Sequence, residues 1–120
     1  MKPLALLATV GWLAVAMSAV RAETVQYFPV PEGAGPHDVA PAPDGTVWYT
    51  AQGQGALGGL DPKNGEVKQV PLGDGSAPHG VIVGPDGAAW ITDGGLNAIV
   101  RVDPATLDVK TYPLPDSHDN

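Results

Sequence analysis

The chain has 120 residues, with 16 glycines, 13 prolines, no cysteine and a formal charge of −7. This length suits one small domain. The absence of cysteine excludes a disulfide framework, a thiolate metal site and a cysteine nucleophile, and the acidic balance excludes the electrostatic footprint of a nucleic-acid binder.

Residues 1–22, MKPLALLATVGWLAVAMSAVRA, read as a signal peptide. Lys2 opens the segment, Pro3 to Val20 carries no charge, and Val20 and Ala22 occupy the small-residue positions before a cleavage site. Glu23 is then the first mature residue. The expected destination is export, to the periplasm or the medium, with no stable membrane span after cleavage. The apolar run is short and rich in alanine for an anchor.

The remainder, 23–120, is built from a repeat. Residues 36–72 align without a gap on 78–114, an offset of 42. Pairs in register include Pro36/Pro78, His37/His79, Asp44/Asp86, Gly45/Gly87, Trp48/Trp90, Thr50/Thr92, Asp61/Asp103 and Pro71/Pro113. The register gives repeats at 36–77 and 78–119, with 23–35 as the end of a preceding unit because Val25 and Pro29 match Val67 and Pro71.

Each repeat predicts four short strands. In the second, His79–Val83 runs into the turn Gly84-Pro85-Asp86-Gly87, where proline presets a turn angle and glycine supplies positive φ. Ala88–Thr92 is the second strand, Ala98–Val102 alternates with period two as the third, and Asp108–Leu114 is the fourth. In the first repeat Asn64-Gly65 marks a two-residue hairpin between the third and fourth strands. No stretch after residue 22 carries a capped helical period. Four antiparallel strands recurring at about forty residues describe a β-propeller blade, so the fold class is all-β. Two blades fall short of the four to eight that close a ring. The expectation is a truncated propeller, with open blade edges that favour self-association.

The blade openings PHGVIVGPDGAAWITDGG at 78–95 and PHDVAPAPDGTVWYTAQG at 36–53 carry a family resemblance, with AIVRVDP at 98–104 and VKTYPLP at 109–115. The chain resembles the streptogramin lyases, also called virginiamycin B lyases, which are seven-bladed propellers. That resemblance implies a carbon–oxygen lyase performing a magnesium-dependent elimination that opens a cyclic depsipeptide antibiotic at its ester linkage. It implies a catalytic acid–base role for His79 and a substrate-binding role for His37. It also implies two acidic magnesium ligands. The first falls on Ala77, which has no donor atom, and the second on Asp93. A small or peptide-like ligand is expected at the propeller axis. Two alternatives stay open: a non-catalytic exported binding or scaffold module, and a gluconolactonase-like hydrolase.

Each singled-out residue also has a structural reading. His37 and His79 open the inner strands, where a histidine can bond a neighbouring blade's backbone. Asp44, Asp86, Asp61 and Asp103 read as turn residues bonding the local chain. Asp93 stands apart because its repeat counterpart is Ala51, so the repeat alone does not call for a carboxylate. Trp48 and Trp90 read as packing between blades. Arg101 reads as a surface charge or as an ion pair between blades.

Overall fold

The computed structural model describes residues 23–116. The signal-peptide reading of 1–22 and the last four residues lie outside it. Among the described residues eight strands form in chain order: β1 Pro36–Pro41, β2 Val47–Ala51, β3 Ala56–Leu60, β4 Val67–Pro71, β5 Pro78–Val83, β6 Ala89–Asp93, β7 Ala98–Val102 and β8 Val109–Pro113. They make two four-stranded antiparallel sheets, ordered β1-β2-β3-β4 and β5-β6-β7-β8. One 3-10 turn, Gln52–Gln54, links β2 to β3. The all-β expectation therefore holds as two equivalent blades.

The turns follow local chemistry. Gly45 donates to the Ala42 carbonyl and Gly87 to that of Gly84, both with positive φ, so Pro-Asp-Gly closes each first hairpin. Asp44 and Asp86 each accept a backbone amide two residues on, and Asp61 and Asp103 do the same in their own turns. The Asn64-Gly65 hairpin differs from expectation. Asp61 donates to the Glu66 carbonyl, so four residues form the loop and Gly65 is its last, left-handed member. Leu107 holds the same place in the second blade at φ 62, and its packing against the core offsets the strain of a left-handed leucine.

The core lies between the sheets. Trp48, Leu57, Val70 and Leu72 of the first blade pack on Val81, Ile91, Val100 and Val102 of the second. Burying such side chains stabilises by roughly 1.5–3 kcal/mol each. A smaller cluster of Tyr49, Ala51 and Ala56 is covered by Val30 and Ala34 from the segment before β1. Trp48 thus fulfils the inter-blade reading. Trp90 does not, because it lies on the uncovered side of the second blade. There it stacks on Tyr112 at 5.9 Å and donates from Nε1 to Asp86. Arg101 pairs with Asp86 at 2.9 Å within its own blade, so neither the surface-charge reading nor the pair between blades describes it.

Cross-strand volumes are exchanged between the repeats. Tyr49 faces Gly58 across β2 and β3, whereas Ile91 faces Val100 in the second blade. A Cβ on Gly58 would fall within the Tyr49 ring. Gly58→Val is expected to destabilise the fold by about 2 kcal/mol through overpacking. Adding Tyr49→Ile should restore most of that loss, as thermal melts arranged as a double-mutant cycle would show.

Asp86 titrates low, from 3.8 to about 2, first because Arg101 donates to it and then because the Trp90 indole does. A depressed carboxylate contributes stability above its ordinary value and loses it as pH falls through the folded value. The Trp90 indole N–H resonance is therefore expected to stay constant above about pH 4 and to shift between about pH 4 and pH 2. Asp86→Asn should abolish that titration.

Candidate functional site

A bulge opens each blade. From Pro36 to Val39, β1 takes one residue more than β2 does opposite, and β5 does the same from Pro78 to Gly80. A bulge re-aims the side chain it carries and takes an amide out of the ladder. The re-aimed side chains here are His37 and His79. The displaced amides belong to Asp38 and Gly80, and each donates to a threonine hydroxyl of the second strand, Thr50 at 3.0 Å and Thr92 at 2.9 Å.

The two blades bring the bulges together. The His37 and His79 rings lie 3.9 Å apart at a 40° tilt, both exposed on one rim. His37 Nδ1 is 3.2 Å from the His79 carbonyl. That contact is the backbone bond foreseen in the structural reading of His37. Because a carbonyl can only accept, Nδ1 is the donor in this contact. Among the described residues the His79 ring makes no hydrogen bond, so both its nitrogens remain available. His79 borders an open depression of about 380 Å³ shared with Ala77, Thr92, Asp93, Ile99 and Leu114.

The Asp38 carboxylate joins this pair. It accepts the Val81 amide at 3.0 Å across the blade seam. Its carboxyl is held below the usual range first by that bond, then by the Val39 amide, with smaller contributions from both histidines. An ionised carboxylate consequently sits near two imidazoles in contact. The Thr50 hydroxyl completes the seam by donating to the His79 carbonyl at 2.9 Å. The sequence reading singled out neither Asp38 nor Thr50 for the site. Asp38 faces Gly80 in the repeat register, the same kind of asymmetry that singled out Asp93 against Ala51.

Asp93 is placed differently. It is 3% exposed at the end of β6. Its Oδ1 accepts the amides of Ala77, Gly95 and Leu96, and its Oδ2 accepts the Ser76 hydroxyl. The carboxylate therefore staples the β6–β7 turn to the segment entering β5. Among the described residues no three carboxylate or imidazole groups converge as a metal cage.

Residues 14–119 match the Virginiamycin B lyase family. No curated protein matches the chain. A solved streptogramin B lyase superposes with a TM-score of 0.69 at 29% identity, over 75% of this chain and 30% of that one. The virginiamycin B lyase of Staphylococcus aureus gives 0.69 at 22% identity, over 75% and 31%. A catalytically inactive histidine-to-alanine variant of the Staphylococcus aureus enzyme, with quinupristin, gives 0.66 at 27%, over 75% and 30%. The chain spans about 30% of the length of these solved relatives. The paired blades thus correspond to part of a lyase propeller, and the chain belongs to the virginiamycin B lyase family.

Proposed function

We propose that the chain is an exported, streptogramin-lyase-type propeller sector acting on a cyclic depsipeptide, with His79 as the acid–base group and His37 as the substrate contact. The observation that carries this reading is the contact of two exposed imidazoles 3.9 Å apart on one rim, in a chain of this family. The relative solved with quinupristin adds support, since its inactive form lacks one histidine.

The elimination needs a base beside a carbon-bound proton next to a carbonyl. In this reading neutral His79 takes that proton. The C–H electron pair becomes a carbon–carbon double bond while the neighbouring carbon–oxygen bond of the ester breaks. The ester leaves as a carboxylate, the ring opens without consuming water, and the imidazolium returns its proton to solvent. His37 lies one blade away and touches the same ligand from the side. Asp38 supplies negative charge next to the imidazolium that forms.

Magnesium, which the family resemblance implies, does not fit the residues present. Ala77 offers no side-chain donor, and both Asp93 oxygens are engaged by the β6–β7 turn and by the segment entering β5. No step here is routed through the ion. The same engagement of Asp93 favours a second reading, a non-catalytic exported module that binds the depsipeptide.

Turnover of a type B streptogramin tests the first reading. His79→Ala is expected to lower the rate at least about 100-fold, the usual scale of a lost acid–base group. His37→Ala should raise KM more than it lowers kcat. Activity that survives in His79→Ala would contradict the assignment, and binding without turnover by the unaltered chain would favour the second reading.

Asp93→Ala is expected to cost roughly 2 kcal/mol of stability, because three amides and a hydroxyl lose their acceptor. Millimolar magnesium should leave the melting temperature of the unaltered chain unchanged. A magnesium-dependent rise that Asp93→Ala removes would show that the carboxylate is a ligand after all.

A further inference from the structure

The two faces of a blade are not equally covered. Ala40, Trp48, Thr50 and Leu57 of the first blade lie under the second, each 7% exposed or less. Their repeat counterparts are Ile82, Trp90, Thr92 and Ile99. Ile82 is 66% exposed, Thr92 is exposed, and Trp90 and Ile99 are half-buried. The same surface is thus sealed in one blade and open in the other. We propose that this open face is an interface whose occupant is the first blade of a second copy of the chain, docked head to tail.

The hydrogen bonding of the existing seam supports that occupant. Thr50 receives an amide from its own blade and donates its hydroxyl proton to the carbonyl of His79. Thr92 receives the Gly80 amide in the same way, which leaves its hydroxyl proton to donate. The matching acceptor is the carbonyl of the first bulge residue of another blade, the carbonyl of His37 of the partner subunit. Two second-blade faces packed against each other would offer Thr92 no such carbonyl.

The complementary surface is also present. Val81, Ala89 and Val102 cover the first blade within the chain. Their counterparts Val39, Val47 and Leu60 line the far side of the first blade, where Val39 is 60% exposed and the other two are half-buried. One segment has to give way. Val25 and Pro29 hold the repeat register of a fourth strand, the slot that β8 of the docking copy would fill. Val25 is 75% and Tyr27 89% exposed, so the contacts given up are mainly those of the half-buried Phe28.

The contact would also extend the candidate site. His37 contacts His79 across the existing seam, so the new seam would set His37 of the partner subunit beside His79. A head-to-tail contact builds rings or longer arrays.

Light scattering coupled to size exclusion tests the proposal on the full chain. The unaltered chain is expected at the mass of two or more copies. Ile82→Lys and Val39→Asp, each at an exposed position, should each give single copies with an unchanged circular dichroism spectrum. Ile82→Ser and Val39→Thr replace them if either charged variant loses its strand signal. Mixing the two variants should restore a species of two chains and no more, because one intact pair of faces survives. A monomeric unaltered chain, variants that keep the unaltered mass, or a mixture that fails to reassemble would each overturn it.

Discussion

One hydroxyl joins the two sheets. The Thr50 side chain accepts an amide that the bulge in β1 has taken out of its ladder, and passes its own proton to the next blade's backbone. An antiparallel sheet of this size cannot bury both faces alone. The apolar contact of Trp48 and Leu57 with Ile91 and Val100 supplies the stabilisation, but that contact is non-directional. Thr50 and the Asp38 carboxylate set its register, because each reaches a particular backbone atom of β5. The histidine pair depends on that register. A slide of one residue between the blades would separate the two rings.

Much of this architecture was readable from residue types alone. The recurrence of Pro-His, Pro-Asp-Gly and Trp at a fixed offset announced two equal units, and period-two alternation in Ala98–Val102 marked a strand with unlike faces. Turn aspartates followed from their preference for bonding the adjacent chain. The bulges were not readable, since no single residue type demands an extra residue at His37 or His79. The split between Trp48 and Trp90 was hidden for a different reason. Identical residues in identical blades receive different surroundings when one blade has a neighbour on that side and the other does not. Asn64-Gly65 misled because its dipeptide preference is local, whereas the loop length was set by the pairing of Asp61 with Glu66.

Asp93 illustrates how an unusual carboxylate can be explained without chemistry. Its departure from Ala51 drew attention as a ligand, yet the first blade handles the same junction with backbone contacts, including a bond from Gly53 to the Ala34 carbonyl. The second blade has Ser76 and Ala77 at the corresponding entry, and a buried acceptor gathers their donors. Asp38 shows the opposite case. It looks like a surface residue, and its carboxylate accepts the Val81 amide across the seam that carries the two imidazoles.

The exchange of Tyr49 and Gly58 for Ile91 and Val100 bears on how such arrays diversify. Here the residues facing each other across the second and third strands differ in bulk together, so either position can be exchanged between these two blades only with its partner. A consensus sequence averaged column by column would unite a tyrosine from one lineage with a valine from another. Grafting between blades succeeds only when both members travel as a set.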